Sequence, residues 1–225
     1  MSNKIVKLYG LKHSGSHYLD WLLKHNTEEV VVLHNQTGWN HGIIQLKFHW
    51  DVTKWNTDPL FEMDEKYDSH IKSLELTRGY PVTHYKDEIE SLYFDRKLPL
   101  LILIRNPYSW IHSYCVKHKE EAGGATFEDA AAQWNSINLN YIKEQYFPKL
   151  FIKFENLQQN PQEELKRVSN FLGVELNEEF KDSKIDMVSL ANEGDELYTD
   201  TSDFSLKGEV DKWLNKDVLN FYNSL

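Results

Sequence analysis

The sequence is short of several things, and each shortage removes a class of protein. It holds a single cysteine, Cys115, so no internal disulfide can form, and no Cys and His stand at the paired spacing of a structural zinc site. No apolar run approaches bilayer-spanning length and the first residues do not read as a signal peptide, which sets the expectation of a soluble, cytoplasmic protein without a membrane partner. Basic charge is also lacking overall. A formal net charge of −10 over 225 residues argues against a nucleic-acid partner, so any anionic ligand must be met by local cations. There is no internal repeat and no low-complexity segment. With 40% hydrophobic and 13% aromatic residues, the chain has enough apolar surface for one packed domain over residues 1–225.

The stretch Gly10 to Leu19 follows the apolar run Ile5 to Tyr9 and reads as strand, tight turn and helix start. Gly10 and Gly15 have the spacing of a phosphate-holding nucleotide loop, where glycines let the backbone approach an anion and Ser14, Ser16 and the N–H groups of the helix start donate to it. That loop requires a lysine and a magnesium-holding hydroxyl directly after its second glycine. Here Ser16 and His17 follow Gly15 instead. The turn is therefore either accidental or built for a ligand that needs neither group.

The remaining pattern alternates strand and helix. Helix is expected over about 17–25, from the spacing of Tyr18, Leu19, Leu22 and Leu23, and Val30 to Leu33 reads as a strand buried on both faces. Residues 34–77 carry scattered aromatics without a period and read as an insertion shaping an acceptor pocket, with some helix over 69–76. A short strand over 80–84 and a helix over 87–94 precede Leu98 to Ile104, the most apolar run, which should be a central strand ending at Arg105. Asn106 and Pro107 suit the cap and first turn of the next helix. Helix is then expected from Thr126 to about 143, strand over 150–154, a turn at 155–157, helix from Asn160 to Gly173, and a terminal helix over 213–222. Such alternation implies an α/β three-layer sandwich around a central, mostly parallel sheet, with ligand at the carboxyl ends of its strands, where Gly10 and Arg105 lie.

Four stretches in this order resemble the sulfotransferases that use 3′-phosphoadenosine 5′-phosphosulfate. Gly10 to Leu19 resembles their 5′-phosphosulfate loop. Arg105-Asn106-Pro107, with Ser113 eight residues after the arginine, resembles their 3′-phosphate motif. Phe151 to Leu157, followed by Asn160-Pro161 and Phe171 to Gly173, is similar to the strand, turn and helix that come next. Lys207-Gly208, with Trp213 and Asn215 beyond, resembles the late loop closing over the 3′-phosphate. The resemblance implies the P-loop nucleotide-hydrolase-like sulfotransferase fold and in-line transfer of a sulfuryl group to an acceptor hydroxyl or amine, with no metal.

The resemblance also implies roles. Lys12, His13, Ser14, Gly15, Ser16, His17 and Tyr18 would hold the donor's phosphosulfate end and adenine, Tyr18 by stacking; Arg105, Ser113, Lys207 and Gly208 would hold the 3′-phosphate. Lys12 or His13 would meet the leaving oxygen, the family's basic residue before Ser-Gly being replaced here by His13. The base is His84, in a Thr-His pair whose preceding lysine is replaced by Val82, or else His41, His49, His17 or an acid. The acidic chain favours a small-molecule or sugar acceptor over a polyanionic glycan. Two other readings stand beside this one: a nucleotide kinase or triphosphatase with an altered loop, and a non-catalytic relative that only binds nucleotide.

Overall fold

The computed structural model describes residues 4–27, 30–34, 37, 40–46, 48, 85–117, 119, 122–182 and 207–225. Near-continuous apolar runs form the strands: β1 (Lys4–Gly10), β2 (Val30–Leu33), β3 (Leu100–Ile104) and β4 (Lys149–Lys153). They pair in the order β2-β1-β3-β4, and every pairing among the described residues is parallel. Buried on both faces, these strands need apolar side chains in both directions, which explains why β1 to β3 do not alternate with polar residues.

Successive residues of each strand feed two separate cores. On one face Ile5, Tyr9, Leu100, Ile102 and Ile104 pack with α2 (Lys86–Phe94), α3 (Pro107–His112), α4 (Phe127–Lys143) and the terminal α8 (Lys216–Ser224). On the other, Val6, Leu8, Leu101, Leu103 and Ile152 pack with α1 (Ser16–Asn26), α5 (Phe154–Gln159) and α6 (Pro161–Leu172). The result is the expected three-layer α/β sandwich. Strand β1 has β2 on one side and β3 on the other, so the strand order reverses beside β1, and ligands of open parallel sheets bind at such a point. Gly10, in register with Leu103, ends β1 there.

Lys7 interrupts the apolar pattern of β1. It is fully buried, its Nζ donates to the carbonyl of His34 just beyond β2 and lies 4.9 Å from the Tyr9 ring centroid, and burial drives its pKa well below the usual lysine range.

Several boundaries differ from the sequence pattern, each for a local reason. Past His112 the helix widens into a π-turn, Ser113–Lys117, whose Tyr114 ring stacks on Trp110 of α3 at 5.0 Å. Phe154 opens helix α5 rather than ending the strand, so residues 155–157 are helical, not a simple turn. Lys207 and Gly208 lie in a short helix, α7 (Lys207–Val210), not in an open loop. The terminal helix starts at Lys216 because the Asn215 side chain accepts from the N–H groups of Asp217 and Val218 and so caps it. The strand expected over 80–84 and most of the 34–77 insertion lie outside the described residues.

Candidate active site

The loop after β1 is pinned by backbone contacts before any side chain acts. Gly10 N–H donates to the Asn40 carbonyl at 3.0 Å, and a Cβ on Gly10 would stand 3.0 Å from the Leu103 carbonyl oxygen, so the close approach of β3 favours glycine. Ser14 N–H closes a turn onto the Leu11 carbonyl at 3.1 Å. His13 and Gly15 both take left-handed backbone angles, φ 61° and 85°. Gly15 is also the residue before the first turn of α1, and it offers no side chain to cap that turn.

Arg105 comes off the end of β3, 7% exposed, and reaches this loop directly. Its Nη1 donates to the His13 carbonyl at 2.7 Å and its Nε to Ser109 Oγ at 3.2 Å, while its guanidinium lies 5.2 Å from the Phe154 ring. That ring also covers Gly15, where an added Cβ would meet it at 2.2 Å. Trp110 Nε1 donates to the Lys12 carbonyl at 2.7 Å, so the helix after Arg105 grips the loop as well. Asn106 caps that helix, accepting from Tyr108 and Ser109 N–H. Glu155 accepts from Asn106 N–H and from the Tyr222 hydroxyl, fixing the turn after β3 from two other elements. The loop and the strand-end arginine are thus one unit.

The Ser14 hydroxyl in this unit lacks a hydrogen-bond partner among the described residues. Ser14 is 1% exposed. Burying a hydroxyl in this way costs about 1–3 kcal/mol, a cost that an anion held by the loop would remove.

A cluster of cations and histidines lines the same end of the sheet, in a chain that is acidic overall. His41 Nδ1 lies 2.8 Å from the Gly10 carbonyl. A carbonyl only accepts, so Nδ1 carries the hydrogen and the lone pair of the neutral ring sits on Nε2. Burial first, then the charges of Lys12, His34 and His13, push His41 down to about 4, against the opposing pull of the Gly10 carbonyl. His17 is pushed down to about 3, chiefly by burial and then by His34, whose ring stacks on it at 6.2 Å. Asp20 is buried at 5% exposure beside Lys24 Nζ at 2.7 Å and His34 Nε2 at 3.4 Å. Burial opposes its charge, but these two partners hold its carboxyl well below the usual carboxylate range.

The other sequence-derived residues fall as follows. Ser16 is buried at the start of α1, and Tyr18 is 6% exposed with its hydroxyl on Asp182 Oδ1 at 2.8 Å. Ser113 is buried at the junction of α3 and the π-turn. Lys207 is exposed on α7, its Nζ 6.0 Å from the Tyr108 ring centroid. His84 and His49 lie outside the described residues. Sequence reasoning missed Trp110 as a support of the loop and the polar contacts of Lys7, Asp20 and His34; the Asp20 and Lys24 pair, four residues apart on α1, was the one local signal available. Among the described residues no group of three or more His, Cys, Asp or Glu is placed to hold a metal, and no helix is long and apolar enough to cross a membrane.

A parallel α/β sheet with a glycine loop, a helix start and a buried arginine converging at the strand-order reversal is a P-loop-like α/β architecture. The family model described as "Sulfotransferase domain" matches residues 5–221, and the chain belongs to that family. Solved structures that match this chain include two sulfotransferase domains. The sulfotransferase domain from the Synechococcus PCC 7002 olefin synthase has 16% identity and a TM-score of 0.47, over 99% of this chain and 94% of that one. The sulfotransferase domain from the curacin biosynthetic pathway has 17% identity and a TM-score of 0.39, over 79% and 76%. Among curated proteins, none matches this chain.

Proposed function

We propose that the protein moves a sulfuryl group from 3′-phosphoadenosine 5′-phosphosulfate to the hydroxyl or amine of a small-molecule or sugar acceptor, without a metal, within one domain over residues 1–225. The observation that carries this reading is the contact between Arg105 and the loop, which unites the two motifs that the family devotes to the two ends of its donor. The buried, unsatisfied Ser14 hydroxyl and the uncapped first turn of α1 support an anion at the loop. Lys12 and His13 flank the same turn and would stabilise charge on the departing phosphate oxygen. Ser113, Lys207 and Gly208 would complete the 3′-phosphate grip beside Arg105.

For the acceptor's proton, His41 is the described residue whose position suits the task better than the more buried His17. Its Nδ1–H bond to the Gly10 carbonyl holds the ring at the foot of the loop with Nε2 as its basic atom. A ring of such low basicity serves an acceptor whose proton becomes acidic as its bond to sulfur forms. His84 is the alternative base.

The test is calorimetry without metal against 3′-phosphoadenosine 5′-phosphate and ATP. The bisphosphate should bind and ATP should not compete. Arg105→Ala, which removes a charged donor, should weaken bisphosphate binding about 10- to 100-fold. Preference for ATP with magnesium would overturn the assignment in favour of a kinase or triphosphatase. Bisphosphate binding with no sulfuryl transfer to any acceptor would favour the non-catalytic relative.

A further inference from the structure

Lys207, placed beside the donor's 3′-phosphate in the proposed function, stands far along the chain on a helix of a single turn. Something must fix that turn, since a helix so short has little stability of its own. Two contacts do so. Tyr108, in the first turn of α3 and three residues after Arg105, donates its hydroxyl to Asp211 Oδ1 at 2.5 Å. Asp211 N–H in turn closes onto the Lys207 carbonyl at 2.9 Å, so a bond to Asp211 holds the turn that carries Lys207, and the Lys207 ammonium lies over the Tyr108 ring.

The second contact comes from α4. Asn135 Nδ2 donates to the Trp213 carbonyl at 2.8 Å and Asn135 Oδ1 accepts from Asn215 N–H at 2.8 Å. Its neighbour Trp134 donates Nε1 to the Arg105 carbonyl at 3.1 Å. Consecutive residues of one helix thus hold the end of β3 and the segment behind α7. Gly208 lies beside Lys207, and among the described residues a Cβ there would meet nothing within 4 Å.

We propose that Tyr108 and Asp211 form a latch that fixes Lys207 beside the Arg105 helix, making Tyr108 a positioning residue for recognition of the donor's 3′-phosphate. The inference rests on the donor assignment above. Tyr108 does not touch the phosphate in this scheme. It sets where the Lys207 charge stands, and removing its hydroxyl releases the α7 turn while leaving the 5′ loop intact.

The experiment compares two ligands by metal-free calorimetry, 3′-phosphoadenosine 5′-phosphate and adenosine 5′-phosphate, which differ in the 3′-phosphate alone. Wild type should prefer the first. Tyr108→Phe should lose about tenfold of that preference through the first ligand only, with adenosine 5′-phosphate affinity unchanged. Asp211→Asn keeps an acceptor for the hydroxyl and should retain more of the preference than Asp211→Ala. In turnover, Tyr108→Phe should raise KM for the donor and leave kcat in place. An unchanged preference in Tyr108→Phe, or an equal loss for both ligands, overturns the latch. A wild type that does not distinguish the two ligands overturns the donor assignment itself, and the latch with it.

Discussion

Gly15→Ala tests the physical basis of the loop most directly, because two separate costs meet at that residue. The first is backbone strain: φ is 85°, in the left-handed region, where an L residue with a Cβ costs about 1–2 kcal/mol. The second is overlap. The new methyl would lie 2.2 Å from Phe154 Cε2 and 2.5 Å from Cδ2, and the ring cannot swing away cheaply because it is 9% exposed and lies against the Arg105 guanidinium. Forcing a group into such a place costs about 1–3 kcal/mol, so the expected total is about 2–5 kcal/mol. The assay is denaturant unfolding with a check that the m-value is unchanged. Repeating Gly15→Ala in a Phe154→Ala background separates the costs, since only the backbone strain should survive there. The difference between the two backgrounds should be about 1–3 kcal/mol. If the cost is the same in both within about 0.5 kcal/mol, the ring is not what excludes a side chain at Gly15, and the account of the loop fails.

Two further outcomes follow from the same geometry. His41 and His17, held at about 4 and about 3 against an ordinary 6.5, are protonated more readily in the unfolded chain. Their contribution to stability is therefore complete above 6.5 and lost as pH falls toward the folded values, and His41→Gln should flatten part of that loss in chemical unfolding measured from pH 7 to pH 4. Asp20 acts in a lower window, its contribution disappearing only below its ordinary 3.8. At the other end of the chain, Asn215→Ala removes the cap of α8, which should lower unfolding free energy by about 1 kcal/mol; an unchanged melting temperature would show that Asn215 does not set that helix start.

The elements were legible in the sequence wherever a local pattern carries them. The unbroken apolar runs of β1 and β3 mark strands buried on both faces, and Asn106-Pro107, Thr126 and Gly173 mark helix ends by their own chemistry. Contacts between distant residues leave no such trace. The bond from Arg105 to the His13 carbonyl spans 92 positions, and the position of Tyr18 against Asp182 spans 164. The sequence pattern offers an arginine at a strand end; the direction of its guanidinium depends on the Phe154 and Ser109 side chains beside it. Lys7 was illegible for the opposite reason. A lysine in β1 reads as an exposed position, and its burial follows from the His34 carbonyl lying within reach of its amine.

The residues after Gly15 bear on which ligand the loop can serve. Nucleotide triphosphate loops place a cation there to meet the outer phosphates, and a hydroxyl after it to hold magnesium. In this chain the second of those positions is His17, a ring kept neutral by burial against His34, and the first is the buried Ser16, so no positive charge comes from that side. The cations stand instead before Gly15, at Lys12, and at the strand end next to it, at Arg105, which donates to the His13 carbonyl of the loop. Under the proposed function, the loop would meet one anionic group of the donor and Arg105 a second, so that the lysine a linear triphosphate requires after Gly15 would not be needed.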